Sequence, residues 1–263
     1  MSTPPPPMQQ SALPQEPTQP ALSEPARLID AFITPRKTFE DVRRKPSWFW
    51  PWLLIAIVSI AFGVVAVQKL DMEQLVRQGM ERSAMAQKRM EQFTPEQRDR
   101  AISAQAKVTK VTFFLSPLFT LIGGIIVGAV LMAVFNFGFG SEVSFRHALS
   151  ITFYSFLPGV ITAILLLVSV LISPDPNSID FASGNPIPTS PAFFMDQNGN
   201  KFLYSLISRF DVINFWQIAL LGLGFAIVSS VGRKKIAPST AIATIFVLYF
   251  VVGLIRAGLA TVF

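Results

Sequence analysis

The sequence contains no cysteine and a single histidine, His147. Without cysteine there are no disulfides, and thiolate metal sites, iron–sulfur clusters and c-type haem attachment are excluded as well. One histidine cannot supply both axial ligands of a bis-histidine haem. Charged residues are also scarce, at 14% of 263 residues. The chain therefore lacks the side chains on which most metal and redox chemistry depends, and no cofactor is expected.

Motifs of common catalytic sites are absent too. The sequence has no H-E-x-x-H, no Gly-rich nucleotide loop, and no Gly-x-Ser-Gly signature of an intramembrane serine protease. The stretch "DQNGN" at residues 196–200 resembles a calcium loop, but its glycine is misplaced and Ile207 stands where the closing glutamate belongs. An Asn-Gly turn is the better interpretation. We expect neither an enzyme nor a metal site.

Apolar residues are abundant and gathered into long runs. Hydrophobic residues make up 51% of the chain, and five charge-free windows interrupt it. A membrane-spanning helix needs about 20 apolar residues. The sequence therefore predicts an all-α polytopic membrane bundle with five transmembrane helices. The predicted spans cover about 49–68, 111–135, 149–172, 212–232 and 237–260.

The first apolar run is interpreted as a retained span and not as a signal peptide. It follows a polar, Pro-rich segment of about 25 residues, whereas a signal peptide places its apolar core near the N-terminus. Trp48, Trp50 and Trp52 flank the run and are typical of a membrane interface. Residues 1–25 are expected to form a disordered tail, because their composition cannot bury a core.

Residues 26–45 predict one or two amphipathic helices on the membrane surface. Leu28, Ile29, Phe32 and Ile33 form an apolar stripe, and Thr34 with Pro35 suits a new helix start. Basic side chains supply the polar face, as in interfacial helices. The alternative is an unstructured linker before the first span.

Two long segments lie outside the predicted spans: an insert at 69–110 and a loop at 173–211. The insert mixes charges of both signs, and "TPEQ" at 94–97 is a capping box, so we predict two antiparallel helices, the second continuing into span two. Its methionines are interpreted as packing residues, with an adaptable binding surface as the alternative. The loop carries five prolines in its first half.

Polar and small residues within the spans give few functional candidates. Gly124 and Gly128 form a small-xxx-small pair that lets helices approach closely, and Pro158 is expected to kink span three. Arg256, near the end of span five, can snorkel to the interface, or it can serve a pore or substrate. His147 is interpreted as an interfacial residue.

The net charge of +6 fits loops that face an anionic lipid surface, and the spread of basic residues argues against nucleic acid. Short basic loops tend to remain cytoplasmic, which places residues 233–235 and the N-terminus inside. The basic residues of the insert oppose this orientation. We retain the orientation that the short loop favours, with the loop at 173–211 outside.

Three stretches carry a resemblance to a known family: "FITPRKTFEDVRRKPSW", "RHALSITFYSFLP" and "RFDVINFWQIALLGLGFAIVSSVGRKK". The motif positions are Phe32, Pro35 and Phe39 in the first, Tyr154 and Pro158 in the second, and Asp211, Trp216, Gly222 or Gly224 and residues 233–235 in the third. Together with the five-span count, they resemble the Yip family of Ypt/Rab-interacting multi-pass membrane proteins. The resemblance covers about residues 27–255.

This resemblance implies a helical membrane bundle without known catalysis. The eukaryotic members act in vesicle trafficking, bind Rab-type GTPases and shape Golgi and endoplasmic-reticulum membranes. Here the Tyr-Gly-Tyr-type motif is only "YSFLP", an Asp-x-x-Gly-Pro motif is missing, and the insert is long. These departures argue against GTPase binding and favour a prokaryotic relative in the cell membrane. We expect that membrane to be the inner membrane of a bacterium.

Two functions follow as hypotheses. The first is a non-enzymatic protein that organises the membrane or scaffolds protein partners, including copies of itself. The second is a transporter or a membrane subunit of a transport system, although a small-molecule substrate is not expected. Stoichiometric partners would favour the first hypothesis, and a polar cavity between spans would favour the second.

Overall fold

A computed structural model describes residues 22–196, 199–229 and 235–259. The predicted Pro-rich tail lies almost wholly outside this range, as do Arg233 and Lys234 of the short basic loop. Over the described residues the chain forms eleven α-helices and no strands. The helices are α1 (Glu24–Ile33), α2 (Pro35–Arg44), α3 (Phe49–Lys69), α4 (Met72–Arg82), α5 (Ala84–Glu91), α6 (Pro95–Ala133), α7 (Phe145–Phe156), α8 (Pro158–Ile172), α9 (Lys201–Ile207), α10 (Val212–Ser229) and α11 (Pro238–Leu259).

Five of these helical segments are long and apolar enough to cross a membrane, which confirms the predicted five-span bundle. They are α3, α6 with its π-helical end at Val134–Gly138, α7 together with α8, α10, and α11. Span four, α10, is half buried within the protein, whereas the others are only 17–28% buried. The apolar side chains that remain exposed on those four spans form the surface that meets lipid.

Helices α1 and α2 form an N-terminal hairpin that packs against the bundle. Ser23 caps α1 and Pro35 occupies the first position of α2, as the sequence predicted for the second helix. The hairpin buries Ala31, Phe39 and Val42 against spans three and four. It is therefore part of the main core and not a linker.

Glycines set the closest approaches between spans. A Cβ at Gly124 would lie 2.5 Å from the ring of Phe153, and one at Gly128 would lie 3.3 Å from Thr152, so α6 packs directly on α7. Spans four and five are closer still: a Cβ at Gly222 would lie 2.6 Å from the Cα of Ile242. Small residues at such contacts allow the backbones to meet, as predicted for span two.

Two prolines lie within the spans, Pro117 inside the continuous helix α6 and Pro158 between α7 and α8, and each removes one backbone hydrogen bond. Pro117 cannot bond the carbonyl of Phe113, and the Ser116 hydroxyl donates to that oxygen at 2.7 Å. Helix α7 ends at Phe156 and α8 begins at Pro158, so span three is divided at the proline where the sequence predicted a kink. A neighbouring side chain thus satisfies the freed carbonyl at Pro117, and at Pro158 the freed Tyr154 carbonyl accepts from the Leu157 backbone N–H at 3.4 Å.

The insert contains three helices, where the sequence predicted two. Ser83 ends α4 and caps α5, and the predicted capping box of Thr94 and Gln97 then starts α6. Helices α4 and α6 bury Met72 and Val76 in a second apolar cluster, against which Met80 and Met90 pack, while Met85 stays exposed. Packing therefore explains three of the four methionines.

The insert and the loop at 173–211 contact each other at the end of the bundle opposite the start of α3, here called the loop face. Arg82 pairs with Asp180 at 2.6 Å, and the Asp71 backbone N–H donates to the Asn177 side chain at 2.7 Å. The loop itself contains short 3-10 turns, and Asp180 and Ser190 cap two of them. The loop face is thus a structured surface.

Candidate functional site

A buried ionic cluster joins the N-terminal hairpin to span three. Arg27 is almost fully buried, and its Nε donates to the carboxylate of Asp41 at 2.5 Å. The guanidinium also pairs with Glu24 at 3.3 Å, and the hydroxyl of Tyr154 donates to Glu24 at 3.2 Å. The Thr38 hydroxyl donates to the Arg27 carbonyl at 3.3 Å. We call Glu24, Arg27, Asp41 and Tyr154 the hairpin cluster.

The charge of Arg27 is stabilised by its partners. Burial by itself lowers the pKa of Arg27, but the hydrogen bond and charge of Asp41, with the charge of Glu24, outweigh burial and raise the pKa above the ordinary arginine value. Arg27 therefore stays cationic in its buried position. A buried cation of this kind depends on its acidic partners, since losing one leaves an uncompensated charge.

Other contacts fix the hairpin along the bundle. Phe32 meets Trp216 edge to ring at 5.9 Å between centroids, and the Phe39 ring lies against Gly224. The Nε2 of His147 donates to the Arg43 carbonyl at 3.1 Å, so the single histidine ties the end of α2 to the start of α7. The hairpin is held by spans three and four together.

The outer side of the hairpin is amphipathic. Ile29 is 59% exposed and Ile33 72% exposed, so these apolar side chains face away from the protein. Just beyond the turn, the side chains of Arg36 and Lys37 are 80% and 51% exposed and pair with Glu40 and Asp30. Apolar groups beside basic ones suit the boundary between lipid tails and headgroups.

A polar cavity lies at the loop face, between the loop at 173–211 and spans three to five. Its volume is about 720 Å³. Asp211 accepts from the Thr189 hydroxyl at 2.5 Å and from the Asn214 backbone N–H at 2.9 Å. The guanidinium of Arg209 lies 5.5 Å from the Tyr249 ring centroid, and Arg256 also lines the wall. We call this space the loop cavity.

The loop cavity reaches towards the break in span three. Gln217 of α10 lines it, lies against Gly159, and donates weakly to the Phe156 carbonyl at 3.4 Å. A second cavity of about 300 Å³ between spans one to four shares Gly159 and Gln217 with it. The two cavities therefore share part of their walls next to the proline break.

The structure places the five predicted motif residues in three locations. Pro35 starts α2 and Tyr154 belongs to the hairpin cluster. Trp216 packs on Phe32. Pro158 begins α8 beside the shared wall of the cavities, and Asp211 lies in the loop cavity itself. They do not meet as one site, and their functional roles remain predictions.

Sequence reasoning missed several polar residues of both sites. The sequence analysis does not single out Glu24, Arg27 or Asp41, although these three residues form ion pairs within the hairpin cluster. Arg209 and Gln217 were also not singled out. Gln217 was detectable because it is, with Asn214, one of two amide side chains near the start of predicted span four. Over the described residues, no group of three or more acidic or histidine side chains is placed to hold a metal ion.

Comparison with known proteins gives one finding on the family. The family model described as the Yip1 domain matches residues 29–255, which is most of the chain. No curated protein and no solved structure matches the chain. The match begins within α1 and ends within α11, so it includes α2, spans one to four, most of span five and both segments of the loop face, whereas Glu24, Arg27 and Arg256 lie outside it. The chain is therefore an integral membrane protein that belongs to the Yip1 domain family.

Proposed function

We propose that this protein acts without catalysis, by organising the membrane around the N-terminal hairpin. The observation that carries the proposal is the rigid attachment of an amphipathic hairpin to one end of the bundle through the hairpin cluster. Scaffolding of partner proteins is the broader form of the same role. The family resemblance supports it, since eukaryotic relatives shape membranes and bind proteins.

The hairpin has the size and position of a wedge. Its contacts along span three run from His147 to Tyr154, which is roughly 10 Å of helix. One leaflet of the hydrocarbon core is about 15 Å thick, so the hairpin adds cross-section to one leaflet only. Ile29 and Ile33 then face lipid tails while Arg36 and Lys37 meet headgroups. Extra volume in one leaflet favours curved membrane.

The test is curvature preference in reconstituted vesicles. The full chain, labelled on a single introduced cysteine at Glu91, is placed in vesicles of mixed diameter, and its density is compared between small and large vesicles. We expect enrichment on the more curved vesicles and loss of that enrichment in Ile29→Asn with Ile33→Asn. Equal density of the original protein at every diameter would overturn the wedge proposal.

The matched control uses apolar residues that face lipid elsewhere. Val247→Asn with Val251→Asn removes two exposed apolar side chains from span five, away from the hairpin. We expect this pair to lower insertion yield without changing the ratio between small and large vesicles. A changed ratio in the control would mean that general loss of apolar surface, and not the hairpin, sets the preference.

Transport is the second candidate function, and the cavities are the observation that favours it. The loop cavity and the smaller cavity share Gly159 and Gln217 in their walls, next to the Pro158 break. Broken helices and polar residues at depth are features of transporters. Uptake of a labelled solute into vesicles, with loss in Gln217→Leu, would support this candidate over the first.

We propose a bacterial inner-membrane location with the N-terminus in the cytoplasm. The absence of cysteine allows single-cysteine variants to test this orientation. Glu91 and Lys235 lie at opposite ends of the bundle and are both exposed. We expect an impermeant thiol reagent to label a cysteine at Glu91 in intact cells and one at Lys235 only after permeabilisation. The reverse pattern would invert the orientation.

A further inference from the structure

The loop cavity concentrates positive charge in a space that the protein does not neutralise. Arg209 and Arg256 both line it. Among the described residues, neither arginine forms an ion pair with a carboxylate. We propose that the loop cavity binds a phosphate-bearing anion through these two guanidinium groups.

The one acidic residue among the described residues of the cavity wall, Asp211, already accepts hydrogen bonds from the protein. Asp211 accepts from Thr189 at 2.5 Å and from the Asn214 N–H at 2.9 Å, so its carboxylate caps the start of α10. Two arginines and one engaged carboxylate leave the wall positive. Like charges that share a cavity repel each other, and an anion between them relieves that repulsion.

Arg209 is held in place before any ligand arrives. Its guanidinium lies 5.5 Å from the Tyr249 ring centroid, and Tyr249 Oη donates to the Arg209 carbonyl at 3.1 Å. The side chain crosses Gly253, where a Cβ would approach Arg209 Cγ to 3.2 Å. A positioned guanidinium loses little entropy on binding. Packing favours glycine at position 253, because a larger side chain there would displace Arg209.

Arg256 lies on the same face of span five. Tyr249, Gly253 and Arg256 are spaced four and three residues apart, which places them on one side of the helix. Arg256 is exposed, so its guanidinium is free to reach an anion held at Arg209. A bound anion would account for the location of Arg256 in the cavity wall, whereas snorkelling accounts only for its depth in the membrane.

The ligand class follows from the donors and the volume. Arginine forks match the oxygens of phosphate, and Thr162, Ser205 and Gln217 add neutral polar groups to the wall. The volume of about 720 Å³ exceeds that of a bare phosphate ion and leaves room for an attached group. Leu166 and Ile213 supply apolar lining beside the polar groups. A lipid headgroup and a soluble organic phosphate share this chemistry.

The inference is independent of the wedge proposal, because the loop cavity lies at the other end of the bundle and contains no hairpin residue. It deepens the transport candidate but requires only binding. If the protein shows no preference for curved vesicles, the anion-binding proposal is unaffected. If the protein binds no anion, the wedge proposal is unaffected.

The experiment measures binding to the purified full chain in detergent with three probes. Phosphatidylglycerol and diacylglycerol are compared by native mass spectrometry, and glycerol 3-phosphate is titrated by calorimetry. We expect Arg209→Gln with Arg256→Gln to weaken binding of a phosphate probe by roughly tenfold or more, since each variant removes charge-assisted hydrogen bonds. Arg100→Gln with Lys201→Gln removes the same charge from the loop face outside the cavity and is the matched control.

The two phosphate probes distinguish the source of the anion. Preferential retention of phosphatidylglycerol over diacylglycerol, without glycerol 3-phosphate binding, assigns a lipid headgroup. Binding of glycerol 3-phosphate assigns a soluble ligand. If the double variant does not fold, Arg256→Gln alone affects an exposed side chain and is expected to weaken binding about fivefold or more. Equal binding by the original protein and these variants, or equal weakening in the control, would overturn the proposal.

Discussion

Gly222 is the residue at which spans four and five meet most closely. A Cβ there would approach the backbone of Ile242 to 2.6–2.7 Å, and backbone cannot rotate aside as a side chain can. Gly123 in span two is the natural comparison, since nothing would lie within 4 Å of its Cβ. The two glycines separate the effect of packing from that of helix propensity.

We expect Gly222→Ala to destabilise the bundle by about 1–3 kcal/mol, because the added methyl group overpacks the contact. Gly123→Ala should change stability by about 1 kcal/mol or less, in the stabilising direction, because alanine favours helix. Unfolding in mixed micelles, followed by circular dichroism, measures both. Equal stability of the two variants would mean that α10 and α11 are farther apart than described.

The lowered pKa of Asp30 predicts that the stability of the hairpin depends on pH. Hydrogen bonds from Lys37 and Thr34 hold the pKa of Asp30 below its ordinary value. The contribution of a carboxylate with a lowered folded pKa is present above the unfolded pKa of about 4 and is lost as pH falls through the folded value. Asp30→Asn lacks that contribution at every pH.

We therefore expect wild-type protein to be more stable than Asp30→Asn near neutral pH. The difference should shrink as pH falls below about 4, and Lys37 then loses its partner. The measurement is the unfolding midpoint of both proteins across this pH range. A constant difference between them would show that the Asp30 charge has no part in the effect.

At the scale of the element, the N-terminal hairpin owes its place to the hairpin cluster. Asp41 and Glu40 are neighbours in α2 that differ in solvent exposure. Asp41 is buried against Arg27, whereas Glu40 forms an exposed ion pair with Arg36 at 3.0 Å. Removing a buried partner leaves Arg27 uncompensated, whereas removing an exposed one changes little. The two acids form a matched pair for testing the cluster.

We expect Asp41→Ala to cost about 3–5 kcal/mol and to release the hairpin from the bundle. Glu40→Ala should cost about 0.5 kcal/mol or less. Limited proteolysis between residues 34 and 48, with unfolding in mixed micelles, measures both effects. If Asp41→Ala were as stable and as resistant as Glu40→Ala, the hairpin cluster would not anchor α1 and α2.

Elements differ in how far sequence could predict them. The spans and the Thr94 capping box were predictable because their signals are local: charge-free length in one case and residue spacing in the other. The pairing of Tyr154 with Glu24 was not predictable, since 130 positions separate the two residues. Arg27 illustrates the same limit, because a basic residue in a basic segment gives no sign that folding will bury it.

At the scale of the whole molecule, the two candidate sites occupy opposite ends of the bundle. The hairpin and its exposed isoleucines lie near the start of α3, and the loop cavity lies between the loop at 173–211 and spans three to five. The sequence predicted both segments that build the loop face, but not the loop cavity, which lies between one of these segments and spans three to five. Its wall draws Arg209 and Tyr249 from separate elements, which only the packing of α9 on α11 brings together.

The proposed function requires the hairpin to lie in one leaflet, and the depth of the hairpin in the bilayer decides whether it does. Single cysteines replacing Ile29, Ile33 and Arg36 can each carry a nitroxide spin label in the otherwise cysteine-free chain. Collision rates with oxygen, which enters lipid, and with a water-soluble nickel complex then report depth. We expect collisions with oxygen to dominate at positions 29 and 33 and collisions with the nickel complex to dominate at position 36. Dominance of the nickel complex at all three positions would place the hairpin in water and exclude its insertion into one leaflet.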